Sequence, residues 1–303
     1  MTLFFFYVTF NINTYMLSER VAMMKGKKIL IIFLLLFTVF GTYCLWADKA
    51  ISEREFQIKS ERIPSDFDGY RIVHISDLHN ALFGEGNKKL VEKIRLNEPD
   101  IIVITGDIVD SRHTDTAIAL DFIKRVVEIA PVYYVSGNHE FRIPRGIELI
   151  ENIKSLGATV LENESMKLIK GNSKITLCGI DDPYFYGGYM TDKEFYVTAR
   201  TLEAIEKTDN FMLLLSHRPE FFDLYCEYGF DLVLSGHAHG GQFRLPFIGG
   251  LIAPGQGLFP EYDSGLYEKN GTSMIVSRGL GNSIIPLRLF NRPEIITVVL
   301  NSN

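Results

Sequence analysis

The chain reads as an α/β protein, on two observations. Three short apolar, β-rich runs recur about every thirty residues, Arg71–Ser76, Ile101–Thr105 and Val132–Ser136, and each is long enough for one buried strand. Between them Leu90 and Ile94, and then Ile118, Phe122, Ile123 and Val126, repeat at helical spacing, as a βαβαβ succession requires. An uncharged stretch ahead of this body, Ile29–Trp46, adds a second kind of element, an N-terminal transmembrane helix.

That stretch has 18 residues, close to the roughly 20 that span a hydrocarbon core. Lys25, Lys27 and Lys28 precede it, and a short basic flank stays in the cytosol, which places the rest of the chain on the outer side of a single-pass anchor. A cleaved signal peptide would have an apolar core of roughly 7–15 residues followed by a small-residue site. Cys44-Leu45-Trp46-Ala47 has bulky residues there instead, and Tyr43 is too large for a lipoprotein context at Cys44. Residues 1–28 therefore read as a short basic cytosolic segment, 29–46 as the anchor, 47–54 as a polar linker and 55–303 as one catalytic domain. Phe4 to Phe10 is apolar but too short to span, and Met16, Met23 and Met24 are alternative starts.

Further along, Pro144 to Leu156 suggests a helix, Ala158 to Ile180 short strands, and Asp192 to Lys207 a charged amphipathic helix. Phe211–Leu215 and Asp231–Leu234 read as buried strands joined by a short helix starting near Glu220. Ser273–Ser277 and Ile295–Leu300 close the domain with two more.

Charge and cysteines narrow the functions. The net charge is −6, from 31 basic and 37 acidic residues. Residues 1–28 carry Arg20, Lys25, Lys27 and Lys28 against Glu19, a local +3, so the remainder carries −9. Such a body does not suit a nucleic acid held through phosphate contacts. Three distant cysteines form neither a disulfide framework nor a thiolate metal site, so any metal takes N and O ligands.

Those ligands stand at strand ends. Asp77 and His79 follow the first run, Asp107 the second, Asn138 and His139 the third. The intervals 77 to 107 and 107 to 138 are each about one βαβ unit, so parallel strands deliver them to one sheet edge, where α/β proteins place their sites. His217 follows Phe211–Leu215, and His237 and His239 follow Asp231–Leu234, so five of the seven histidines fall at such ends. Each piece alone could be a turn or a helix cap. Five strand ends with O or N donors together are costly to bury without a cation. The cluster exceeds one tetrahedral ion and suits two ions roughly 3.5–4 Å apart, with Asp107 as the bridge.

Asp77-Leu78-His79, Gly106-Asp107-Ile108-Val109-Asp110, Gly137-Asn138-His139-Glu140, Ser216-His217 and Gly236-His237-Ala238-His239 resemble, in order, the five blocks of the calcineurin-like metallophosphoesterases. The resemblance covers roughly residues 55 to 300. It implies an αββα sandwich, two mixed sheets flanked by helices, and a metal-dependent phosphoric ester hydrolase. One ion would take Asp77, His79, Asp107 and His239, and the other Asp107, Asn138, His217 and His237. His139 would be the catalytic non-ligand histidine that protonates the leaving oxygen or stabilises its charge, with Asp110 holding it in position. Two cations of this kind share the phosphoryl oxygens and lower the pKa of a bridging water for in-line attack. N and O donors without thiolate admit Mn, Fe, Zn, Co or Ni. The long Gly236–Gln242 block and the anchor look more like the membrane-associated bacterial phosphodiesterases, some of which are linked to hydrolysis of a UDP-diacylglucosamine lipid precursor.

The substrate expected on these grounds is a phosphodiester or pyrophosphate, as a small molecule or linked to lipid. Arg112, Arg142, Arg145, Arg218 and Arg244 lie near the blocks as phosphate-clamp candidates without singling one out. Phe243 to Ile252, Gly257 to Pro260 and Ile284 to Leu287 are rich in Gly, Pro and large apolar groups; they dock on lipid or an acyl chain, or else pack over the sheet. Two other functions are weighed against the hydrolase. A metal-dependent amidohydrolase expects His-x-His after the first strand, where Asp77-Leu78-His79 stands. A non-catalytic metal-bound scaffold usually loses the acid histidine or the bridging carboxylate, and His139 and Asp107 are both present.

Overall fold

The computed structural model describes residues 25, 27–187, 191–282 and 287–303. The apolar segment Phe4–Phe10, the alternative starts at Met16, Met23 and Met24, and most of the Ile284–Leu287 loop lie outside the described residues. The chain divides into two compact units, Met1–Trp46 and Ala47–Asn303. In the first, a 21-residue helix α1, Lys27–Ala47, carries the apolar stretch, with a mean hydropathy of 2.4.

The second unit runs β1 (Ser52–Ser60), β2 (Tyr70–Ile75), α2 (Lys88–Leu96), β3 (Ile101–Thr105), α3 (Thr116–Val126), β4 (Val132–Val135), α4 (Gly146–Ser155), β5 (Thr159–Val160), β6 (Glu164–Lys170) and β7 (Ser173–Gly179). It continues with α5 (Thr191–Ala204), β8 (Met212–Leu215), α6 (Phe222–Glu227), β9 (Leu232–Ser235), β10 (Arg244–Leu245), β11 (Gly249–Gly250), β12 (Ile252–Ala253) and β13 (Gly257–Leu258). It closes with β14 (Gly265–Lys269), β15 (Thr272–Val276) and β16 (Glu294–Ser302). Two six-stranded mixed sheets form, ordered β1-β16-β2-β3-β4-β5 and β14-β15-β9-β8-β7-β6. Within them β2, β3 and β4 are parallel neighbours, as are β7, β8, β9 and β15.

Three apolar cores account for four layers. Ile72, Val103, Tyr133, Val298 and Leu300 of the first sheet meet Leu177, Leu213, Leu215, Leu232, Leu234 and Ile275 of the second in one cluster. The alternate residues of the first sheet, Val73, Ile75, Ile102, Ile104 and Val132, pack on α2, α3 and α4 through Leu90, Ile94, Phe122, Ile123, Leu149 and Ile153. Those of the second, Met212, Leu214, Val233, Met274 and Val276, pack on α5 and α6 through Leu202, Phe222, Leu224 and Tyr225. Successive strand side chains point to opposite faces, so a strand buried on both faces must be apolar at every position. That is why these strands read as unbroken runs.

The linker expected over 47–54 is corrected by this structure. Ser52–Arg54 already belong to β1, paired in parallel with Glu294–Ile296. Ile51 is buried in the helix-side core of the first sheet. Residues 48–51 are also held: Arg288 N–H donates to Asp48 Oδ1 at 2.9 Å and Arg292 Nε to the Ala50 carbonyl at 2.7 Å. Outside Ile51, this segment looks polar because its order comes from backbone pairing and a buried arginine segment rather than from apolar side chains.

Candidate metal centre

The ligand candidates sit in the loops that leave β2, β3, β4, β8 and β9, on left-handed backbone to an unusual degree. Asp77, His79, Asp107, His237 and His239 have φ of 52°, 45°, 52°, 64° and 49°. Left-handed φ costs a non-glycine residue roughly 1–2 kcal/mol, and such strain collects at functional sites. Close packing enforces it. A Cβ on Gly137 would overlap Asp107, and one on Gly236 would overlap Ser76 Oγ and Asp77 Oδ2, so Gly137 lets the β3 and β4 loops of the first sheet meet and Gly236 lets a loop of the second sheet reach the first.

The side chains brought together form overlapping sets. Asp77, His79, Asp107 and His239 each offer a ligand atom within 4.8 Å of the others, as do Asp107, His217 and His237, and also His79, Asp110 and His139. Asp107 Oδ2 lies 3.2 Å from His217 Nε2 and 3.5 Å from His79 Nε2, and Asp77 Oδ1 lies 3.4 Å from His239 Nε2. Asn138 is buried beside them, and the N–H of His139 donates to Asp107 Oδ1 at 2.8 Å.

Several observations fit a cation. Nε2 of His79 faces Nε2 of His239 at 3.2 Å, and Nδ1 of His237 faces Nε2 of His217 at 3.0 Å, so ring nitrogens converge in pairs, as ligand atoms around an ion do. Asn138 Oδ1 is buried and has no hydrogen-bond partner among the described residues, an oxygen open to a ligand bond. His217 Nδ1 lies 2.7 Å from the Thr105 carbonyl, which fixes that nitrogen as the donor and frees Nε2 for a ligand bond.

Titration follows the same crowding. Burial pushes the Asp77 carboxyl up to about 6 and the His79 imidazole down to about 3. Burial also acts on His217, but the Asp107 carboxylate overrides it and lifts the imidazole to about 10, while the facing imidazoles hold Asp107 well below the usual carboxylate range. The protein alone balances the buried Asp107 carboxylate with the raised basicity of His217, a balance a cation could supply instead.

His139 and Asp110 differ in detail from the expectation. His139 Nδ1 accepts the Ser111 backbone N–H at 3.0 Å and faces Ser111 Oγ at 3.1 Å, whereas Asp110 Oδ1 is 3.7 Å away. The Asp110 carboxylate is engaged by Arg112, through its backbone N–H at 2.9 Å and its guanidinium at 3.1 Å. A backbone N–H can only donate, so Nδ1 must carry a lone pair and the proton of the neutral ring sits on Nε2. Burial, aided by Arg142, lowers the His139 pKa and keeps the ring neutral.

Two contributors escaped the sequence reading. Glu140 is fully buried, and its carboxylate accepts from the N–H groups of Asp107 and Ile108, both at 2.9 Å, and of Gly137 at 2.7 Å. It ties the β3 loop to the β4 loop, and its only signal was an acid without a role inside Gly137-Asn138-His139-Glu140. The loop after β15 is the other. Gly281 N–H donates to the Asp77 carbonyl at 2.6 Å, and Asn291 Nδ2 to the His239 carbonyl at 2.7 Å, and nothing local in the sequence marks either.

The arginine candidates are largely spoken for. Arg218 is buried against Asp182, Glu194 and Glu220; Arg112 pairs with Asp110, Arg145 with Glu148 and Arg244 with Asp263. Arg142 stacks over Tyr184, 4.7 Å from the ring centroid. Beside that stack a cavity of about 400 Å³, lined in part by Phe141, Ile143, Ile147, Tyr184 and Phe185, opens next to the His139 turn.

Two mixed sheets sandwiched between helices, with buried Asp and His clusters at their shared edge, define a metal-dependent phosphoric ester hydrolase. The chain belongs to the calcineurin-like phosphoesterase family, whose profile matches residues 70–241. It is 33% identical to the metallophosphoesterase YkuE of Bacillus subtilis, over 83% of this chain and 86% of that protein. A metallophosphoesterase of Aquifex aeolicus is 29% identical, over 86% of this chain and 95% of the other. A Danio rerio transmembrane protein with a metallophosphoesterase domain is also 29% identical, over 81% of this chain and 56% of its own length.

Proposed function

We propose that the chain is a membrane-anchored phosphodiesterase or pyrophosphatase working with two divalent cations, one held by Asp77, His79, Asp107 and His239 and the other by Asp107, Asn138, His217 and His237. The observation that carries this reading is the position of Asp107, a member of both ligand sets, with its Oδ2 between His79 and His217. Cations held by these residues would supply charge neutralisation for the phosphoryl group and activation of a water. The chain's own residues do the rest. Glu140 holds the Asp107 backbone in place. His139 presents Nε2–H, 4.0 Å from Asp107 Oδ2, to the charge that develops on the leaving oxygen. This geometry favours hydrogen-bond stabilisation over full proton transfer, because Nδ1 is already an acceptor. The engaged state of the nearby arginines favours a diester over a monoester dianion. The membrane part rests on the apolar helix Lys27–Ala47 and on relatives named as transmembrane proteins in Danio rerio and Bos taurus. Its basic flank favours a body on the outer side.

Hydrolysis of bis-p-nitrophenyl phosphate with added Mn²⁺, abolished by chelator, tests the enzyme. His139→Ala should keep its metal and lose roughly 10²–10⁴-fold in turnover. Metal-loaded protein with no hydrolysis of any phosphodiester would favour the scaffold. Full activity of His139→Ala would remove the histidine's role.

A further inference from the structure

Two hairpins follow the last ligand loop, and their tips do not pack on the sheet. Phe247 is 109% exposed, Ile248 61%, Leu258 71% and Phe259 65%. Phe247 and Phe259 also hold φ of 68° and 54°, which is unfavourable for a bulky aromatic residue. Apolar groups displayed in this way on a folded body mark a binding surface. Of the two alternatives for these loops, packing over the sheet does not hold at the tips of these two hairpins, whereas Ala253 at the base of one is buried.

What covers them is indicated by the chain itself. Residues 48–51 alone lie between the apolar helix and β1, and four extended residues reach at most about 14 Å. That short tether is bonded directly to the segment beside the hairpins. Asp48 accepts from Arg288 N–H at 2.9 Å, Ser52 N–H donates to the Pro293 carbonyl at 2.7 Å, and the Leu289 carbonyl accepts from Arg244 N–H, the first residue of β10, at 3.0 Å. The hairpins in turn stand on the ligand loop, since Leu251 N–H donates to the Gly241 carbonyl at 3.1 Å, two residues after His239. From Phe243 to Pro260 the only charged residue is Arg244, which is paired with Asp263, so attraction to anionic groups is not the design.

We propose that Phe247, Ile248, Leu258 and Phe259 insert into the interfacial layer of the lipid bilayer that holds the chain's own helix, so that the metal centre takes phosphoesters of lipids lying in that layer. This rests on the membrane reading above and extends it from an anchor to a substrate class. Inserted side chains of this kind bind by apolar burial, so raising the salt leaves the contact intact.

The test uses the full chain in phosphatidylcholine vesicles. Trp46 is the single tryptophan, so Trp46→Phe combined in turn with Phe247→Trp, Phe259→Trp or Ile169→Trp reports one site at a time. Ile169 is 75% exposed on β6, the opposite edge strand of the second sheet from β14. Lipids brominated near the headgroup should quench the 247 and 259 reporters at least twofold, equally at low and high salt, and leave the 169 reporter to aqueous iodide. Iodide quenching of the 247 and 259 reporters equal to that at 169, with no effect of bromolipid, overturns the proposal. Hydrolysis of bis-p-nitrophenyl phosphate by each variant, unchanged within twofold, shows that the body is folded. A full chain that does not float with vesicles would strike the anchor instead.

Discussion

The two sheets are built alike and contribute unlike chemistry. The first, through β2, β3 and β4, brings both buried candidate carboxylates, Asp77 and Asp107, with His79 and Asn138. The second, through β8 and β9, brings only imidazoles, His217, His237 and His239. Neither sheet alone holds the ligand set of either proposed ion, so that centre would exist only where the inter-sheet core keeps the two edges in register. Apolar packing and ligand geometry are thus one problem at that interface.

The strongest way to break the arrangement is to remove the group both sets share. Asp107→Ala should lose metal occupancy, read by elemental analysis, and lower turnover by roughly 10³-fold or more, since several kcal/mol of charge stabilisation go with it. Retention of two ions would end the bridging assignment. A smaller effect follows at the first sheet's internal tie. Glu140→Gln should leave the fold intact by circular dichroism but weaken metal binding by roughly 10–100-fold in a titration, because it replaces an acceptor of three N–H groups by an amide that is half donor. Leu213→Ala and Leu214→Ala separate the two faces of β8. Each should cost about 2–5 kcal/mol in denaturant unfolding. Only Leu213, in the core between the sheets, should also weaken metal binding; equal effects would show that the sheets do not share the centre through that core.

The mildest test is of pH. His74 on β2 is fully buried, and burial lowers its imidazole to about 3. The unfolded imidazole, near 6.5, takes a proton first. The neutral ring's contribution is present above that value and is lost as pH falls from about 6.5 toward 3, at about 1.4 kcal/mol per pH unit. His74→Met should flatten this part of the stability curve, and an unchanged slope would assign the acid sensitivity elsewhere.

Much of this was legible in the residues. Strands buried on both faces announce themselves as unbroken apolar runs, and the Asp and His residues just past them, from Asp77 to His239, come together in buried clusters. What stayed hidden depends on partners far along the chain. β1 is a polar-looking strand because one edge and much of its surface face water; its pairing with β16 leaves no local pattern. Asp110 looked like the support for His139, yet a main-chain N–H of Ser111 lies nearer, and backbone donors have no residue type to read. The apolar hairpins could be seen, but whether they were covered could not, since coverage is a property of the folded surface.

The place of β16 sets a schedule on biogenesis. It lies between β1 and β2, so β1 pairs with a strand made about 240 residues later. At roughly 5–20 residues per second, about 12–48 s of translation pass before β1 finds its neighbour. Until then the first sheet lacks its edge and β1 has no strand to pair with. The body stays open through that interval, and it locks only after the last strand has arrived.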